Sequence, residues 1–414
     1  MNFSSDPSPH PSAFDVDSSS PDSFVDGVPN AYFRSLREHD PVHWQKECKL
    51  PGIRHRAGYW ALTRYDDIAF VSKNSQIFSS ERGSVFLSDL EPKDLQNMRQ
   101  QLINMDTPRH TQLRSLINRS FKPAEIRETE GDFLKIVRDT FDRLEGVREC
   151  DFVDAISAPI SLHVLTNFLG VPQNHSKRIY NWTNKLIGAG DPKVSSVFRA
   201  RLAVLEIFVY AAFLAHKRRK NPRADVYSAL VNGTLDGKPL ERLQLGMNFF
   251  LLIIAGNETT RNALSGGVQA LCEHPDQLEL LRKDPSLLPQ AIEEMLRWVT
   301  PVMQFRRTAT RDTQIGQQRI REGEKIVMYY AAANRDPSVF EHPERFDITR
   351  KSNPHLAFGT GTHFCIGSHM ARLEMRITLA ELLQRFPNFR LSGPVERLSS
   401  NFISGIKRMP LALA

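Results

Sequence analysis

The stretch Phe358-Gly359-Thr360-Gly361-Thr362-His363-Phe364-Cys365-Ile366-Gly367 runs directly into the apolar-periodic segment Met370-Ala371-Arg372-Leu373-Glu374. Gly359 and Gly361 permit backbone conformations closed to other residues, which lets the loop lie flat against a bulky planar ligand. Amide N–H groups are then free to point at the Cys365 sulfur. Met370, Leu373, Ile377 and Ala380 fall near one face of a helix, so Cys365 stands by a helix N-terminus, where the dipole favours a thiolate. A metal-bound thiolate is the species expected. The competing account is a small buried hydrophobe in a turn, the commoner fate of a lone cysteine. Zinc is disfavoured, because Cys48, Cys150 and Cys272 are scattered and no Cys-x-x-Cys pair exists.

The full pattern Phe-Gly-x-Gly-x-His-x-Cys-x-Gly, followed by Ala371-Arg372-x-Glu374, resembles the haem-binding loop of the cytochrome P450 family. The resemblance implies a mainly α fold with a smaller β region, and haem b buried between a long central helix and the helix after the Cys loop. It makes Cys365 the axial iron ligand, whose electron donation favours O–O cleavage, with Gly359 and His363 also against the cofactor. The activity implied is hydroxylation of a C–H bond in a hydrophobic small molecule by O2, with two electrons passed from NAD(P)H through a ferredoxin reductase and a ferredoxin. Two other classes stay open on these residues: a peroxide-driven haem-thiolate peroxygenase and a non-catalytic haem or lipid carrier.

Composition bounds the rest. A chain of 414 residues is long enough for a buried cofactor pocket. Met1 to Asp26 is rich in Ser, Pro and Asp and reads as a flexible leader, leaving residues 27–414 as a single domain. Four dispersed cysteines give no disulfide framework and fit a reducing cytoplasm. The longest apolar run, Phe249 to Ala255, is too short to span a bilayer, so no membrane anchor is expected. The formal charge of +7 is spread along the chain without an arginine-rich arm, which argues against nucleic acid and for a basic patch facing an acidic electron-transfer partner.

Along the chain, Val42–Trp44 and Gly58–Thr63 are β-like, and Phe78–Asp106 reads as a helix between loops. Helical spacing resumes over 133–169 and 195–219, with Phe198, Leu202, Leu205, Phe208 and Ala212 as one packed face of the latter. His110 and Arg114 are four apart, on one helical face able to hold an anion; taken alone, a solvated polar face is the simpler account. The resemblance assigns both to the haem propionates, joined by Arg307 and His363. Strand alternation allows only one of Arg306 and Arg307 to face the haem.

A central helix of about 241–274 carries Ala255-Gly256-Asn257-Glu258-Thr259-Thr260, a sequence poor for helix stability. A bulge at Gly256 would make room for dioxygen. The resemblance makes Glu258 and Thr259 the acid–alcohol pair that delivers protons. Glu294 and Arg297 share a helical face, and the family pattern adds Arg345, from Pro343-Glu344-Arg345-Phe346, as the third member of a buried scaffold. Phe86, Leu87, Ala255, Val302, Met303, Phe305, Phe402 and Ile403 are candidate pocket walls, with ordinary packing the alternative for each. The segments Ala255–Asn262, Pro301–Thr308 and Asn353–Leu356 look most like actinobacterial enzymes that hydroxylate sterol side chains and methyl-branched lipids.

Overall fold

In the computed structural model the residues described are 16–48, 58–187 and 197–413, without the side chains of Asn184, Ile187 and Val197. The helix Arg242–Glu273 has 32 residues, a rod about 48 Å long at the usual rise. It is apolar on nearly every side, the pattern of a helix buried all round, and it packs against the helices Ala158–Phe168, Val197–Lys220 and Leu288–Val299. Several of its buried polar groups find partners outside the helix. Asn248 accepts from the Leu102 amide at 2.8 Å, Asn262 accepts from the Ile406 amide at 3.1 Å, and Ser265 meets Ser157 at 2.8 Å. The helix Ser368–Arg385 follows the Cys loop and completes the main core with Leu373, Met375, Leu379 and Leu382.

Beside this body lies a five-stranded sheet. Its strands are β1 (Val42–Gln45), β2 (Tyr59–Leu62), β3 (Phe78–Ser79), β4 (Gln304–Ala309) and β5 (Lys325–Tyr329), in the order β1-β2-β5-β4-β3. β5 pairs parallel with β2 and antiparallel with β4, setting Ile326 opposite Arg307 and Val327 opposite Arg306. That register carries Arg307 into the molecule beside the Cys loop.

Three expectations change. Residues 1–15 lie outside the described residues, but 16–26 are folded onto the sheet. Phe24 is buried with Phe33 and Tyr329, and the Ser18 hydroxyl bonds the Tyr59 hydroxyl at 3.1 Å, so residues before 27 are part of the packed body. The segment 78–106 begins as strand β3, and its helix is confined to Pro92–Met98. The helix Val197–Lys220 buries Ala200, Ala203, Ile207, Tyr210, Ala211 and Leu214, while Phe198, Leu202 and Leu205 face outward. Ala200, Ala203 and Ala211 let the backbone approach its neighbours between the larger Ile207, Tyr210 and Leu214; of the expected set, Phe208 sits half-buried over Gly246 of the central helix and Ala212 is exposed.

Candidate functional site

Gly359 and Gly361 have φ of +67° and +71°, a region closed to most side chains. At Gly361 the turn is also packed tight, since a Cβ would come within 2.5 Å of the Ser72 carbonyl oxygen. The Cys365 amide donates to the Phe358 carbonyl at 2.9 Å, closing the loop, and Gly367 caps the following helix. Burial raises the Cys365 thiol above its ordinary range. The Gly367 amide, Arg114 and Arg372 pull it back only in part. Position beside a helix N-terminus therefore does not by itself offset burial, and a bound cation would favour the thiolate.

Next to the sulfur, four basic side chains converge. The His110 and His363 rings lie 4.3 Å apart. His110 is pushed down to about 4 by burial and then by Arg114 and Arg307. His363 falls well below its usual range by burial, with Arg307, His110 and Arg114 adding to the effect. Arg114 donates to the Phe364 carbonyl at 2.6 Å, and buried Arg307 donates to the Arg306 carbonyl at 2.8 Å. Asp106, the acid nearest this group, is already held by the Ser79 hydroxyl and the Ser80 amide. The Nδ1 of His110 is buried without a hydrogen-bond partner among the described residues. Two arginines and two imidazoles with so little acid beside them, above a cysteine in a flat loop, fit a planar metal macrocycle carrying two carboxylates. Arg306 takes the opposite face of β4, with Asp89 at 2.9 Å, and Asp89 lies 2.7 Å from Lys325.

Across from the loop runs the middle of the central helix. Ala255 is exposed although the residues around it are not, so it borders internal space. The Thr259 hydroxyl donates to the Ala255 carbonyl at 2.7 Å on that same side. Its oxygen keeps lone pairs able to accept a further hydrogen bond. The helix is continuous and shows no bulge. Gly256 serves packing, since a Cβ there would approach Leu165 of the neighbouring helix to 2.6 Å. Glu258 is buried and turned away, its Oε2 2.5 Å from Arg261. Burial raises its pKa, and Arg261 opposes the rise.

The pocket-wall candidates separate into two groups. Phe86 and Phe305 both contact Phe402, with ring centroids 5.3 and 5.6 Å away, and Val302 bridges Ile403. Leu87 and Met303 fall elsewhere, in the core with Phe24 and Phe33. Val302 and Phe305 are half-buried whereas Met303 is buried, and strict alternation does not hold here because the strand begins only at Gln304.

Behind the loop, Glu294 and Arg297 are fully buried and doubly bonded, at 2.7 and 2.8 Å. Arg345 is exposed and contributes only its carbonyl, which accepts from Arg297 at 3.0 Å. The third arginine is Arg350, whose Nε lies 3.1 Å from Glu294. The carbonyls of Pro343 and Arg345 point inward to Arg297, which turns the Arg345 side chain out, and the chain bends back before Arg350. Sequence reading also missed Glu293, which holds Arg372 at 2.6 and 2.7 Å and His355 at 3.2 Å. Burial would raise Glu293, but the bonds from Arg372 and His355 bring it down to about 2. Arg372 in turn lies 4.5 Å above the Phe358 ring, so this set fixes the start of the Cys loop. The adjacent Glu293-Glu294 pair was the available signal.

A family model described as Cytochrome P450 matches residues 156–394. A steroid C26-monooxygenase of Rhodococcus jostii is 36% identical over 96% of this chain and 84% of its own. A methyl-branched lipid omega-hydroxylase of Mycobacterium bovis is 37% identical over 93% of this chain and 91% of its own. Among solved structures, a Mycobacterium marinum cytochrome P450 in complex with pseudoionone superposes with a TM-score of 0.86 at 35% identity, covering 92% of this chain and 94% of that one.

Proposed function

The chain belongs to the cytochrome P450 family, and from that footing we propose that it hydroxylates a steroid, methyl-branched lipid or terpenoid with electrons drawn from a ferredoxin and its reductase. The enzyme is a haem b monooxygenase that uses O2. Bound haem supplies oxygen activation at its iron. The remaining tasks belong to the chain. Cys365 Sγ would ligate the iron, His110, Arg114, Arg307 and His363 would hold the two carboxylates, and Gly359 keeps the loop flat. Thr259 Oγ1, whose proton is donated to the Ala255 carbonyl, accepts a hydrogen bond in the space beside Ala255 and would pass a proton into that space only by releasing the carbonyl. Glu258 reloads Thr259 only after leaving Arg261, so proton entry requires a side-chain rotation.

The observation that carries the substrate class is the apolar wall of Phe86, Phe305, Phe402, Val302 and Ile403, which offers contact area and few hydrogen bonds. The names of the two relatives point the same way. A hollow beside the Cys-loop helix is lined by Arg127, His369, Arg372 and Arg376 with Glu130 and Glu293, which pair with Arg376 and Arg372, and its remaining basic excess supports an acidic redox protein. No helix among the described residues is long and apolar enough to cross a membrane.

Titrating the oxidised holoenzyme with steroids, branched lipids and terpenes should give a high-spin shift with one of these classes. Failure of all three, in a protein with an intact thiolate spectrum under carbon monoxide, would refute the substrate class. Thr259→Val should go on consuming NAD(P)H while product per electron pair drops about tenfold or more. Undiminished product yield would remove Thr259 from proton delivery.

A further inference from the structure

The helix Val197–Lys220 carries a second apolar face that nothing in the chain covers among the described residues. Phe198, Leu202, Leu205, Val209 and Phe213 are 70, 42, 62, 72 and 55 % exposed. Their spacing keeps all five on one stripe about 22 Å long. Single exposed apolar residues are ordinary, whereas a continuous stripe of large ones marks an interaction surface. A helix apolar on both sides is one that meets something on both.

Charge identifies the second partner. The helix contains six Lys and Arg residues and one acid, Glu206. Glu206 accepts from Trp182 Nε1 at 2.5 Å, and Arg218 is buried against Asp225 at 2.8 Å. At 3.6 residues per turn, Arg201 and Arg219 flank the stripe on one side, Lys217 flanks it on the other, and Lys220 continues its line. All four are exposed.

We propose that this face lies on an anionic phospholipid bilayer, its stripe at the boundary between headgroups and acyl chains and its cations against the lipid phosphates. Phe and Leu on one face with Lys and Arg along its edges is the composition of a helix that rests in the interface plane. The helix does not meet the length and hydropathy of a spanning one. A second copy of the chain fits less well, because a two-fold contact would set one cationic rim against the other. An acidic protein would need matched hydrogen-bonding groups, and the five stripe side chains offer none. The proposal is independent of which molecule the enzyme hydroxylates.

Flotation of the holoenzyme with vesicles tests it. Co-flotation is expected with phosphatidylcholine vesicles containing about a third phosphatidylglycerol, diminishing as salt rises, and little with phosphatidylcholine alone. The triple variant Leu205→Ser, Val209→Ser, Phe213→Ser should keep its haem spectrum and thermal midpoint, since all three side chains are exposed, yet stay in the bulk. Arg219→Gln with Lys220→Gln should weaken binding about five-fold for each charge removed. Wild-type protein that ignores anionic vesicles, or a triple variant that binds them equally, overturns the proposal. So does a wild-type dimer in sedimentation that the triple variant converts to monomer, which would assign the stripe to a second copy.

Discussion

Arg345 and Arg350 stand five positions apart on one irregular segment, yet only Arg350 reaches the buried Glu294 carboxylate. Removing Arg297 should cost about 3–5 kcal/mol, since it breaks a fully buried ion pair and leaves the Asn334 and Pro343 carbonyls without their donor. Arg350→Ala leaves Glu294 paired with Arg297, so the loss is set by one charged hydrogen bond, about 1–3 kcal/mol. Arg345→Ala removes an exposed side chain while its carbonyl stays, so the change should remain within about 0.5 kcal/mol. Urea unfolding of the holoenzyme variants ranks the three; equal effects of Arg345→Ala and Arg350→Ala would overturn the assignment. The sequence placed the Glu294–Arg297 pair correctly because helical spacing is local. It could not place the third arginine, whose approach depends on how an irregular turn folds back.

At the scale of elements, the central helix shows how one glycine can be read two ways. Gly256 was expected to open a bulge, and in the structure it admits Leu165 from the helix Ala158–Phe168. Gly256→Ala should therefore overpack that crossing and cost about 1–3 kcal/mol despite the gain in helix propensity. Adding Leu165→Ala relieves the clash, so thermal unfolding should show the pair less destabilised than the sum of the singles. Strict additivity would mean that the two side chains do not meet. The helix Val197–Lys220 is the complementary case. Its periodicity fixed it as a helix, but an apolar pattern on both faces left the inner face undetermined until the neighbouring helices chose it.

For the whole molecule, the buried acid Glu374 on the Cys-loop helix links folding to pH. Burial raises it to about 8, and the bond from Ser161 only partly opposes this. Unfolded, the carboxyl titrates near its ordinary value of about 4.3. Between those values the folded state keeps a proton that the unfolded chain has lost. This contribution to stability is therefore greatest at the acid end and falls as pH rises, by up to about 1.4 kcal/mol per unit, levelling off above about pH 8. Glu374→Gln keeps the shape and removes the titration. The stability difference between wild type and variant, measured by urea unfolding at several pH values, should follow that slope. A difference independent of pH would show that Glu374 is already ionised in the native state.

The sequence by itself determined the family, the sulfur at its centre and the long helix opposite, because glycine spacing, helical periodicity and the Cys loop are contiguous in the chain. It also foresaw that Arg306 and Arg307 take opposite faces of one strand, since alternation is a local property. Tertiary structure decided what depends on distant partners. It sent Met303 and Leu87 to the core beneath Phe24, drew Val16–Asp26 onto the sheet, put Arg350 in place of Arg345 and turned Glu258 toward Arg261. In each case several placements were locally acceptable, and the choice fell to burial and charge pairing between segments far apart in the chain.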